Sequence, residues 1–390
     1  MRIGRHILAL VVLPLTLMAV ETHAQEVVVR RGVTPVLDPV AGVGSDGVTI
    51  AVPGPLPPGE PLPLLSWDQV ASISGPFADS AQAYAKTADA AWRARTRLER
   101  GDLSGAEPLF EQLFATYGGR RGPLAQLVCG GLLLCRNARG ATSLAVPALL
   151  GYLEACEGDP SPRLIVRGDD AADPSDLTPI DASWRLSPGV PPIWLSTLAV
   201  QTSSRAAWKT YPGRTGQLSE LYRLSQAGEL GDVSADLPPR PDATDESLCL
   251  VWEIVVSRAG DAAARAGARE QLRGRLGAGS QLPPWLAAWC RAAVGRSLLR
   301  ESDSESRMLG VAELLAVPAA MEYAVPYLTG VCLAEAAAAL HAEGDVKGAA
   351  AVRTRLTERF AGHPVIEWDA LRFTAPAAGS TPRVSKEATP

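Results

Sequence analysis

Two hydrophobic periods divide the chain. Over residues 25–76 the apolar positions come as short runs, "EVVVR", "GVTIAV" and "PLLSW", rich in β-branched residues and separated by Gly, Asp and Pro. That pattern predicts a small β unit with a proline-rich loop. From Ala78 onward the period becomes helical. Ala91, Ala94 and Leu98 fall on one face, Gly101 supplies a left-handed stop, and Ser104 with Glu107 reads as a capping box that opens a second helix. Pro108 then falls in the first turn, where its missing N–H leaves no bond unmade. Leu109, Phe110, Leu113, Phe114 and Tyr117 complete a wide apolar stripe. The stretch Leu98 to Gly119 is therefore a helical hairpin with a face that needs a neighbour.

The same offsets recur. Gly-Asp returns at Gly260-Asp261 and Gly344-Asp345; Leu113, Leu272 and Leu356 stand at one common distance beyond each glycine, and Tyr117, Leu276 and Phe360 at another. Ala106 and Ala349 agree at a nearer offset, where Arg265 does not, and Arg269 and Arg353 stand where the first copy has Phe110. A weaker copy begins at Gly140, with Ala145, Leu149, Tyr152 and Cys156. A worn period of about forty residues predicts stacked helix pairs, none of which can bury its stripe alone.

These positions resemble the tetratricopeptide repeat family. Ala94, Gly101, Leu103, Ala106 and Phe110 occupy the family's small and large packing positions, and Ala337, Leu340, Gly344, Val346 and Ala349 do so in the last copy. The resemblance covers Ala78 to Gly119 and Gly330 to Pro364. It implies a mostly α fold, a TPR-like α-solenoid following the small N-terminal β unit. It also implies a partner-binding groove formed by the first helix of each pair, which maps to Arg95 and Leu98 in the first clear repeat and to Ala338 and His341 in the last.

Between two helical blocks, residues 77–157 and 214–373, lies a Pro- and Asp-rich insertion over 158–213. Its composition argues against regular helix, and "PPIWL" suggests that Trp194 anchors it by burial. A second break is expected around "SADLPPRPDATDES". Residues 374–390 read as a disordered tail.

The first 24 residues have a basic start at Arg2 and Arg5, an apolar core from Ile7 to Ala19, and small residues at Thr22 and Ala24, the makings of an export signal cleaved after Ala24. Localisation is accordingly expected to be periplasmic or extracellular, with no membrane span after cleavage. The chain has 37 Lys and Arg against 42 Asp and Glu, a formal net charge of −5. Loss of two arginines and one glutamate with the signal makes the mature chain slightly more acidic, so nucleic acid is not an expected partner. Aromatic residues are 5% of the chain against 47% hydrophobic, an Ala, Leu and Val composition suited to closely packed helices.

Candidate chemistry adds little. "GVGSDG", Gly42 to Gly47, matches a dinucleotide-binding glycine pattern, but a strand follows where the cofactor needs a helix N-terminus, and Asp46-Gly47 signals a hairpin turn. Only His341 and His363 remain after signal removal, so a multi-histidine metal site is excluded by count. Asp169, Asp170, Asp173, Asp176 and Asp181 form an acidic loop without EF-hand spacing. Arg100-Gly101-Asp102 is explained as a helix stop. The six cysteines include no C-x-x-C pair, and Cys129 and Cys135 lie too far apart along one helix to bridge, which favours buried free thiols. Trp285 and Trp289 share a helix face and are expected to fill a seam between helices. No catalytic, cofactor or metal residue is assigned. The expectation is a non-catalytic scaffold that binds a protein or peptide partner in the cell envelope. Two alternatives stand beside it: an envelope hydrolase using Asp or Glu carboxylates on the solenoid, and a structural envelope component.

Overall fold

The computed structural model describes residues 27–29, 39–52, 54–56, 61–159, 179–195, 209–230, 237–277 and 281–373. Residues 1–24, read above as an export signal, and residues 374–390, read as a disordered tail, lie outside these residues. Among them the chain is mostly helical, with a small N-terminal sheet unit.

That unit has two antiparallel pieces. Strand β1 (Val27–Val29) pairs with β5 (Val70–Ile73), and β2 (Val40–Gly44), β3 (Gly47–Ile50) and β4 (Leu64–Ser66) form a three-stranded meander. Gly44 pairs with Gly47 across the two-residue turn Ser45-Asp46, so the glycine-rich stretch is a hairpin, as its sequence predicts. Trp67, 2% exposed, fastens the unit to the helices: its ring stacks on Tyr84, and its indole N–H donates to Gly44 O at 3.0 Å.

Twelve α-helices follow among the described residues: α1 (Ala78–Gln82), α2 (Ala85–Glu99), α3 (Leu103–Tyr117), α4 (Pro123–Ala138), α5 (Thr142–Ala155), α6 (Gly213–Glu229), α7 (Glu246–Ala259), α8 (Ala262–Arg275), α9 (Pro284–Leu298), α10 (Ser304–Ala320), α11 (Pro326–Ala342) and α12 (Val346–Arg359). Two short 3-10 turns, Pro364–Glu367 and Asp369–Leu371, end the described chain. Successive helices pack against each other, and α2 also touches α4, α7 touches α9, and α9 touches α11. The pattern of side chains explains this inner row. Helices α4, α7, α9 and α11 are buried around most of their circumference, whereas α8 and α12 bury only a stripe, Ala268 with Leu272 and Ala349 with Leu356.

The hairpin corners are made locally. At Gly101, Gly140 and Gly344 the glycine N–H bonds back three residues and the next N–H bonds back five, and each glycine has a positive φ, of 75°, 71° and 87°. This double-bonded left-handed stop is the geometry in which an L side chain is disfavoured. Gly260 is also at a corner but is extended, with φ −68° and ψ 167°. An aspartate then caps the following helix: Asp102, Asp261 and Asp345 accept the N–H three residues on, and Asp303 and Asp245 do the same for α10 and α7.

The first of these corners corrects the expected capping box. The cap is Asp102, so α3 begins at Leu103, Ser104 Oγ donates to the Asp102 carboxylate, and Glu107 pairs with Arg139 instead. Pro108 accordingly lies inside the helix, in its second turn. Asp102 wins because the left-handed Gly101 delivers it directly to the start of the new helix. All six cysteines are free, and Trp285 and Trp289 meet edge to face at 5.0 Å within the core.

The C-terminal turns fold back over α11 and α12. His363 Nε2 donates to Tyr327 O at 2.8 Å while Nδ1 accepts the Val365 N–H. Burial outweighs the Tyr327 hydrogen bond, which favours the charged ring, and takes the imidazole from 6.5 down to about 4.

Two outcomes follow from these contacts. A Cβ at Gly344 would meet nothing within 4 Å, so the whole effect of substitution there is backbone strain. Gly344→Ala should lower stability by about 1 kcal/mol and Gly344→Asn by less, since Asn tolerates the left-handed region; urea midpoints that ranked Ala with Gly would contradict this. For His363, folding favours the neutral ring, so its contribution is complete above pH about 6.5 and disappears as pH falls toward 4. The urea midpoint of the native chain should drop across that window, and that of His363→Gln should drop less.

Candidate functional site

The four groove residues expected from the sequence fall in two places. Leu98 is fully buried in the first hairpin. Arg95, beside it on α2, reaches the β unit: Nη1 donates to Asp68 at 2.8 Å and Nε to Glu99 at 2.6 Å. These two residues hold the sheet unit against the helices. His341 is exposed and stacks on Phe373, at the end of the described chain, at 4.5 Å. Ala338 is the one of the four that lines a cavity, of about 300 Å³, between α6, α7, α10 and α11.

The floor of that cavity is an ion network. Arg296, 2% exposed, comes from α9 and donates through Nε to both oxygens of Glu335 at 3.0 and 2.8 Å. Its Nη2 donates to Glu229 at 2.9 Å and to Trp194 O at 2.7 Å. Arg258 clamps the far side of Glu229 through Nε at 2.9 Å and Nη2 at 3.3 Å, and its Nη1 donates to Arg296 O. Burial alone would raise the Glu229 carboxyl, but Arg296 and Arg258 outweigh it and hold the group below its ordinary range. At the rim Arg307 donates to Glu343, and Trp368 from the C-terminal turn closes one wall. An acid–base pair for hydrolysis would need one carboxyl raised toward neutrality. Glu229 is instead displaced in the opposite direction.

Leading to this cavity is the described part of the proline-rich insertion, Ile180–Leu195, which runs as an irregular strap without helix. Its first turn is closed by Asp181, whose N–H donates to Leu186 O and whose carboxylate accepts from Ser183 N and Trp184 N. The other members of the acidic cluster, Asp169 to Asp176, lie outside the described residues. Beyond the turn the strap is held through its backbone. Alternate carbonyls take a side-chain donor from the helices: Pro188 O from Trp289 Nε1 at 3.3 Å, Val190 O from Tyr222 Oη, Pro192 O from Ser225 Oγ at 2.7 Å and Trp194 O from Arg296. Val190, Ile193, Trp194 and Leu195 are buried, and Trp194 meets Tyr222 edge to face at 6.4 Å. The sequence indicated the burial of Trp194. It carried no signal for the donor ladder, because the donors come from α6 and α9, far along the chain.

Comparison with protein-family models, with curated proteins and with solved structures finds no match to this chain. Among the described residues no cluster of His, Cys, Asp and Glu is arranged to hold a metal ion, and no helix is long and apolar enough to cross a membrane.

The network sets a quantitative expectation. Glu229→Gln keeps the shape but leaves the Arg296 and Arg258 guanidinium groups short of a counter-charge in a desolvated place, which should cost about 3–5 kcal/mol in chemical unfolding. A loss below about 1 kcal/mol would mean that water reaches the network freely.

Proposed function

We propose that the chain is an exported, non-catalytic interaction scaffold: an α-solenoid of tetratricopeptide-like hairpins that takes hold of a protein or peptide partner in the cell envelope. The observation that carries this reading is the ladder of side-chain donors on alternate strap carbonyls. A helical array that grips a proline-rich segment in this way recognises peptide backbone, which has few N–H groups of its own to offer where prolines recur, through acceptors that every peptide possesses. Inner helices stacked α7 on α9 on α11, with glycine corners between partners, support the repeat architecture. The basic, apolar and small-residue succession of the first 24 residues supports export. Ala338 lines the cavity to which Leu195 of the strap also contributes, and is the place where a partner segment would be held.

A photo-crosslinking residue placed at Ala338 tests this in living cells. We expect a discrete adduct with an envelope protein, formed by a chain that has lost residues 1–24, and no such adduct from Gln112 on the exposed face of α3. A chain that stays in the cytoplasm with its first 24 residues, or one that forms no adduct from Ala338, would remove the basis of the proposal.

A further inference from the structure

A second cleft, of about 410 Å³, lies against the middle of the strap, where Gly189 forms part of its wall. It is bounded on one side by the corner between α4 and α5 and on the other by the segment before α11 and the turn after α12, so the early and late helices of the array meet across it. Its size is that of a small-molecule site, and Val325 and Phe360 give it apolar walls.

The polar groups are what distinguish it from the ion-paired cavity. No carboxylate lines this cleft; its charged side chains at neutral pH are Arg139 and Arg359. Each arginine is anchored from outside, Arg139 through Nε and Nη2 to Glu107 and Arg359 through Nε and Nη2 to Glu322, and neither Nη1 has a partner among the described residues. One buried polar atom of a lining residue, Asn137 Oδ1, also has no hydrogen-bond partner among the described residues. The Tyr327 ring stacks on His363 at 5.3 Å, and its hydroxyl lies toward Arg296 and Glu335 in the core, away from the two arginines of the cleft. Buried polar groups are nearly always satisfied, so an amide oxygen left open in a cleft lined by two held guanidinium groups has the character of a site awaiting a ligand.

We infer that this cleft binds a carboxylic acid with an apolar body: the carboxylate taken by the free Nη1 donors of the arginines, the body packed on Phe360 and Val325, and a polar substituent answering Asn137. Guanidinium groups already fixed by a second carboxylate lose little freedom on binding, which favours such recognition. The same chemistry is offered by a free small acid and by the last residue of a peptide. This inference stands apart from the scaffold proposal, whose test reads the other cavity, at Ala338.

The experiment is calorimetric titration of the whole mature chain with three probes: N-acetyltyrosine, its amide, and a hexapeptide ending in a free tyrosine carboxylate. We expect saturable binding of N-acetyltyrosine and at least a tenfold loss for the amide, with Arg139→Gln and Arg359→Gln each weakening the acid about tenfold. Gly362 also lines the cleft, and a Cβ there meets nothing within 4 Å, so Gly362→Leu should fold and block binding. A hexapeptide tighter than N-acetyltyrosine assigns the site to a chain end, and an equal or weaker one assigns it to a free acid; both outcomes support the site. Equal affinities for acid and amide, binding that survives Gly362→Leu, or no saturable binding of any probe at millimolar concentration would overturn it.

Discussion

The buried guanidinium of Arg296 is the constraint from which the centre of this protein follows. An arginine removed from water to this extent is tolerable only when its charge and its donors are met, and here two carboxylates and one carbonyl meet them. Those partners come from α6, α11 and the strap, and Arg258 from α7 completes the set. Four helices and an irregular segment are thereby required to arrive at one point. The strap has little choice of course once Trp194 must present its carbonyl to α9.

The hairpins on either side share an aspartate cap after a glycine, left-handed at Gly101 and Gly344 and extended at Gly260, and vary what is packed upon it. Leu113, Leu272 and Leu356 are buried in the same role, as are Ala106 and Ala349. The position held by Phe110 in the first copy has become Arg269 and Arg353 in the others, and these side chains work instead as polar fasteners: Arg269 donates to Ser297 and Glu301, and Arg353 lies over the Phe373 ring and donates to its carbonyl. At this position an ion pair or a cation–π contact to a neighbour stands in place of apolar burial. The exchange ties each hairpin to an element outside itself, α9 and its C-terminal end in one case and the last turn of the described chain in the other.

Legibility in the sequence followed the range of the interaction. Gly101, Gly140 and Gly344 were readable as corners because their bonds span five residues or fewer. The hairpin within "GVGSDG" was readable for the same reason. Asp102 and Ser104 compete within two positions, and pattern alone chose the wrong one because both are good caps; the corner's own hydrogen bonding selects the residue that follows the glycine. The groove positions were harder. Arg95 and His341 do face away from the packed stripes of their helices, but Arg95 pairs with Asp68 of the β unit and His341, though exposed, stacks on Phe373, and neither neighbour is predictable from helical period.

What the sequence determined by itself is therefore what local chemistry enforces: a β-rich start, helices beyond Ala78, glycine corners, and a tryptophan-anchored proline-rich insertion. Tertiary structure alone decided which charges meet and what lies in the groove. Arg296 and Trp194 are separated by about a hundred positions, and Asn137 and Tyr327 by nearly twice that. Hydrophobic periodicity reports which face of a helix avoids water. It is silent about partners across the core, because burial is non-directional whereas the hydrogen bonds and ion pairs that complete this protein are not.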